Sequence, residues 1–166
     1  MVYYVYIFEI KGRIIMGRNI REVNINEYMP ILIDLINKGN TVPLLISGNS
    51  MCPFLVHHRD TIFISKPNKV LKKGDIVFFI RKNGQYVVHR IHHKNNVGEL
   101  FIIGDGQTII EGPIKQSQVF GVIYSVNRKN KYITNKNILW KFFSLIWIRM
   151  VNYRKYVLLM YTKLVK

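Results

Sequence analysis

From Thr41 to about residue 128 the chain is built of short apolar runs, each cut off by Gly, Pro or Asn before it could fill a helix. Runs of roughly four to eight residues bounded by turn signals suit strands, whereas a helix needs about ten or more. Six strands are expected, at 42–47, 61–65, 75–81, 86–92, 100–103 and 119–126. Lys73-Gly74 and Asn83-Gly84 mark turns between them, the latter a two-residue hairpin signal. Residues 43–128 therefore read as one all-β unit.

The flanks differ. Residues 1–20 alternate loosely and favour β, with a turn at Lys11-Gly12. Asn24 or Asn26 can cap a helix supported by Glu27, running through Met29, Ile31, Leu32, Leu35 and Ile36 and stopping at Gly39. After a polar, basic connector at 127–137, helical periodicity returns. The expected organisation is a strand/helix extension at 1–40, a β domain at 41–128 and a basic amphipathic helical tail at 129–166.

Charge narrows the class. Lys plus Arg number 25 against 9 acids, a net charge of +16, yet 49% of residues are hydrophobic, with nine Phe, ten Tyr and two Trp. That apolar content excludes a disordered basic tail. A lone cysteine, Cys52, excludes an internal disulfide framework and a cysteine-rich zinc site. The excess charge calls for an anionic partner, nucleic acid or lipid headgroups. Residues 127–166 hold ten Lys or Arg and no acid, interleaved with Trp140, Phe142, Phe143, Leu145, Ile146, Trp147 and Ile148. No run approaches the roughly 20 apolar residues of a membrane span. Glu9 and Lys11 end the apolar N-terminus too early for a secretory signal. The last quarter reads as a segment lying on an anionic membrane surface, or as helices packed on the core with solvated lysines.

Three places carry residues of chemical interest. Ser50, in Gly48-Asn49-Ser50-Met51-Cys52-Pro53, can sit at a sharp bend where its hydroxyl meets a base and backbone N–H groups face an oxyanion; a serine in such a turn is also an ordinary turn residue. His89 alternates with Val87 and Ile91 on one strand face, either as a satisfied core residue or as a desolvated base. Asp105 lies between Gly104 and Gly106, with Glu111 following. It can orient an imidazole or cap its own turn.

The ordered boxes Gly48-Asn49-Ser50-Met51-Cys52-Pro53, Lys73-Gly74-Asp75-Ile76-Val77-Phe78, Val88-His89-Arg90-Ile91 and Gly104-Asp105 resemble the signal-peptidase I family, within the clan that includes LexA-type self-cleaving repressors. The resemblance covers residues 43–126 and implies a signal-peptidase/LexA-like β fold. It implies Ser50 as nucleophile and His89 as general base, in the manner of the archaeal and endoplasmic-reticulum type; bacterial and LexA-type relatives place a lysine there. Asp105 matches the acidic residue of the glycine-aspartate box, Glu111 is a possible second acidic residue, and Gly48, Asn49 and Met51 form the oxyanion and substrate strand. The chain departs from the pattern in having Gly48 where many signal peptidases place a serine, Gly106 after the aspartate rather than Asn, and Glu111 rather than Asp. No anchoring transmembrane helix is expected before the serine box.

Neither a cofactor nor a metal is expected: the pairs His57-His58 and His92-His93 form no ligand pattern with Cys52. Two functions follow. The first is a serine endopeptidase cleaving a signal or leader peptide from a precursor, associated with the membrane peripherally or monotopically through the basic tail, with no nucleic-acid partner. The second is a LexA-like self-cleaving or non-catalytic β domain that binds DNA or lipid. One expected helix before residue 40 is too little for a helix-turn-helix.

Overall fold

The computed structural model describes the backbone of residues 3–5, 21–23 and 25–164. Strand β1 (Tyr3–Val5) pairs antiparallel with β2 (Arg21–Val23); the rest of the β reading of 1–20, including the Lys11-Gly12 turn, lies outside the described residues. Helix α1 spans Ile25–Asn37. Asn26 is therefore inside the helix rather than its cap; Asn24 lies outside the described residues. Gly39 follows with a φ of +86°, and its N–H donates to the Ile36 carbonyl, the left-handed stop expected of glycine.

The β unit is an antiparallel sheet of eight strands: β3 (Val42–Leu45), β4 (Asp60–Ser65), β5 (Ile76–Ile80), β6 (Tyr86–Lys94), β7 (Leu100–Ile103), β8 (Glu111–Ile114), β9 (Val119–Arg128) and β10 (Lys131–Thr134). They are ordered β3-β4-β9-β5-β6-β7-β8, with β10 on β9. Two of these strands were not foreseen. β8 carries Gly112-Pro113, which disguises a strand, and it is the edge of the sheet, where Pro is tolerated. β10 lies in the stretch read as a polar connector, because its polar side chains face solvent and only Ile133 is buried. The β5–β6 hairpin also differs in detail. Three residues, Lys82 to Gly84, lie between the hydrogen-bonded Arg81 and Gln85, and Gly84 takes the positive φ of +81° that such a loop requires.

β5 is interior and apolar on both sides, so its alternate residues feed two clusters. Ile76 and Phe78 join the larger one, with Met29, Leu32 and Ile36 of α1 and residues of β3, β4 and β9. Val77 and Phe79 join the smaller one, with Ile91, Leu100, Ile102 and Ile114. β6 obeys the same alternation: Val87 and Ile91 pack with the smaller cluster, Tyr86 and Val88 with the larger.

The C-terminal segment continues from β10 into α2 (Ile138–Leu145), two 3₁₀ turns (Trp147–Arg149 and Val151–Tyr153) and α3 (Arg154–Leu164). Asn137 caps α2, its side chain accepting from the Leu139 N–H at 2.8 Å. Trp140, Phe143 and Trp147, spaced three and four apart, enter the larger core. Ile138, Phe142, Leu145 and Ile146 on the other side are exposed. No helix among the described residues is long and apolar enough to cross a membrane.

Candidate active site

The loop after β3 carries Ser50. Gly48 enters it with a φ of +95°, left-handed backbone that glycine adopts without strain. Its N–H donates to Nδ1 of His57 at 2.9 Å, so that N–H braces the loop rather than facing an oxyanion. Asn49 is exposed, Ser50 half-buried and Met51 buried. The loop is pinned from the other side by the Gly104-Asp105-Gly106 turn after β7, whose Gly106 N–H donates to the Ser50 carbonyl at 2.8 Å. A Cβ on Gly104 would lie 2.3 Å from that same carbonyl oxygen, and one on Gly106 would lie 2.7 Å from the Cys52 carbonyl oxygen. Both glycines are thus demanded by backbone contact with the serine loop.

His89 lies on β6, 1% exposed, its ring against Phe79 at 6.2 Å between centroids. Neither ring nitrogen has a hydrogen-bond partner among the described residues. Ser50 and His89, distant in sequence, line one cavity of about 180 Å³, together with Leu44–Asn49, Met29, Met51, Phe78, Arg81, Gln107 and the start of β6. β3 forms one wall and is the terminal strand of the eight-stranded sheet, with β1 packed close to it.

The acidic residues divide differently from expectation. Asp105 does not face His89. Its two carboxylate oxygens take Nε and Nη2 of Arg90 at 3.0 and 2.7 Å, and both residues are fully buried. Successive strand residues point to opposite faces, so Arg90, which meets Asp105, points away from the side on which His89 lies. Arg90 also donates to the Gly74 carbonyl at 3.0 Å, and its guanidinium sits 5.0 Å from the Phe54 ring centroid. The glycine-aspartate box therefore seats the serine loop and neutralises a buried arginine.

The carboxylate within ion-pair reach of the imidazole is Glu111, whose Oε2 is 3.8 Å from His89 Nδ1. Arg81 holds that carboxylate in a two-pronged bridge, Nε to Oε1 at 2.6 Å and Nη2 to Oε2 at 2.5 Å. Burial pushes the His89 pKa down to about 4; the Arg81 charge adds to the fall and Glu111 opposes it. The ring is consequently neutral at pH 7, the state a base requires.

Sequence reasoning missed three residues that shape this site. Arg81 sits where a strand meets a polar turn and carries no motif. Trp147 Nε1 donates to the Asp105 carbonyl at 2.9 Å. The buried Arg154 donates to the Gly104 and Gln107 carbonyls at 2.9 and 3.0 Å. Nothing in the sequence signalled the two C-terminal donors as props of the glycine-aspartate turn. The histidine pairs stay apart from Cys52. His57 stacks on His58 at 3.5 Å and His92 meets His93 Nδ1 to Nδ1 at 2.8 Å, and no group of three or more potential metal ligands gathers among the described residues.

The curated proteins and the solved structures compared with the chain gave no match. A family model does match, Peptidase S24-like, over residues 9–123, a stretch that contains the serine loop, His89 and the glycine-aspartate turn. The mainly antiparallel β fold with flanking helices agrees with it. The chain belongs to the Peptidase S24-like family of serine peptidases and LexA-type self-cleaving domains.

Proposed function

We propose that the protein is a serine endopeptidase of the histidine-base signal-peptidase type, which cleaves a leader or signal peptide from a precursor at a membrane surface. The observation that supports this reading is that Ser50 and a neutral, buried His89 both line one cavity beside β3, the terminal strand of the sheet. An extended peptide adding to that edge would bring a scissile carbonyl to Ser50. His89 takes the Ser50 hydroxyl proton as Oγ bonds to the carbonyl carbon, and returns it to the leaving amine as the C–N bond breaks. A water then hydrolyses the acyl-serine, its proton passing to His89 and on to the released Ser50. Glu111 stabilises the transient imidazolium, the part first assigned to Asp105. With the Gly48 N–H engaged by His57, the Ser50 N–H is the oxyanion donor nearest the nucleophile.

The membrane part of the reading is supported by α2 and the turn after it. Ile138, Phe142, Leu145 and Ile146 form an exposed apolar strip flanked by the exposed Lys141 and Arg149, in a chain with no acid after Glu111. Apolar contact and headgroup attraction would act together there. Trp140, Phe143 and Trp147 are buried in the core and are not part of this strip.

Purified protein incubated with a model signal peptide should give a single cleavage, lost in Ser50→Ala and in His89→Ala; cleavage at the parental rate in both would end the catalytic reading. Mass spectrometry of the chain incubated alone separates out the LexA-like alternative, which would cut itself and leave the added peptide intact. Flotation with anionic phosphatidylglycerol vesicles should retain the parent and lose a Leu145→Glu/Ile146→Glu variant. Equal flotation of the two would end the membrane reading.

A further inference from the structure

We propose that Arg81 is a positioning residue of this site, whose guanidinium fork fixes the Glu111 carboxylate at His89 and sets the charge under which the imidazole works. The catalytic consequence rests on the serine-peptidase reading above, whereas the geometry stands without it. Arg81 follows β5, and Glu111 is the first residue of β8, an edge strand that pairs with β7 and with neither β5 nor β6. Sheet hydrogen bonding alone therefore does not hold Glu111 against His89. The fork from Arg81 spans that gap, and no other described group hydrogen-bonds the Glu111 carboxylate. Arg81 is itself steadied by Gln85, which accepts from Nη1 at 2.5 Å, and it lines the cavity that Ser50 and His89 share.

The consequence is a balance around one ring. Phe79 packs on the imidazole and supplies no charge. Arg81 and Glu111 are the charged groups acting on it, and they oppose each other. At rest burial keeps His89 a free base, and the Arg81 cation adds to it by disfavouring a second positive charge. When His89 takes the serine proton, the imidazolium forms 3.8 Å from a carboxylate already fixed in place. A preorganised carboxylate stabilises that charge without first having to be ordered.

The test uses two Arg81 variants with different losses. Arg81→Gln removes charge and fork, while Arg81→Lys keeps the charge and loses the planar two-pronged geometry. Following the His89 ring by NMR, the parent should titrate near pH 4, and Arg81→Gln should move that midpoint up by about one unit. Glu111→Gln should move it down, and Arg81→Lys, which keeps the cation but loosens the carboxylate, should move it down by less. In peptide cleavage, the acidic limb of kcat/KM should follow the same displacements, and Arg81→Lys should lower kcat about tenfold through the misplaced carboxylate. An unmoved ring titration in Arg81→Gln, or full kcat in Arg81→Lys, would overturn the proposal. A purely structural role would lower stability in both variants and leave the titration where it was. The displaced titration in a parent that cuts no peptide would leave the inference standing and remove the peptidase reading instead.

Discussion

At the residue level, identity and environment part company at two adjacent positions. His89 and Arg90 are neighbours on β6 with opposite fates: one is buried with no hydrogen-bond partner among the described residues, the other is locked onto Asp105. An imidazole with an ordinary pKa would give an acidic limb near neutrality. Burial and Arg81 move that limb down, because the desolvated ring resists the proton. The proposed mechanism uses the neutral ring as base, so kcat/KM should be level from pH 5 to 8 and fall only as the pH approaches about 4; a limb near 6.5 would contradict the burial of the ring. Asp105 belongs to a different ledger. Asp105→Ala leaves a fully buried arginine unpaired, which should cost about 3–5 kcal/mol in chemical unfolding. Asp105→Asn, which keeps the shape and part of the hydrogen bonding, should cost less and leave the acidic limb where it was.

At the level of elements, the turn after β7 does more than connect strands. It presses two glycines onto the backbone of the serine loop and is itself held from behind by Trp147 and Arg154. Gly104→Ala would drive a Cβ into the Ser50 carbonyl oxygen, a contact only backbone movement can relieve. If Ser50 is the nucleophile, as proposed, its displacement by about 1 Å costs on the order of 10²-fold in rate, so steady-state kinetics of this variant should show a fall in kcat of that size. The boxes around Ser50, His89 and Asp105 were legible in the sequence because each keeps local chemistry: a glycine-rich bend, an alternating strand, a glycine-flanked acid. Glu111 was legible only as a possible second acidic residue, implied by the resemblance. Its meeting with His89 depends on β8, which Gly112-Pro113 hid, and on a salt bridge from an arginine with no motif of its own.

For the whole molecule, the C-terminal segment is part of the body of the protein as well as a bearer of charge. Trp140, Phe143 and Trp147 complete the larger core, and Trp147→Ala should lower unfolding stability by about 3–5 kcal/mol. Deleting residues 138–166 would strip the core along with the cations, which is why surface substitutions give the cleaner measure of vesicle binding. Stability should also carry the mark of His89. Its folded pKa of about 4 lies below the unfolded value of 6.5, so the unfolded chain binds the proton more readily. Stability is then full above pH 6.5 and declines as the pH falls toward 4, by up to about 3 kcal/mol. Denaturant melts of the parent and of His89→Phe across that window should differ in slope, with the variant the flatter.

What the sequence determined by itself was local: where most strands and helices form, that the middle block is β, which serine and histidine are the candidates for the chemistry, and that positive charge gathers toward the C-terminus. Those properties follow from side-chain periodicity, turn residues and charge, all of which are read within a few residues of one another. Only the tertiary structure decided the partners. It gave Asp105 to Arg90 and Glu111 to His89, and it set one side of α2 in the core and left the other exposed. It also lowered the basicity of a histidine whose residue type alone would place it near neutrality. Each of these depends on which distant segments the sheet order brings together and on how much water the packing removes, and neither quantity is written in any short stretch of chain.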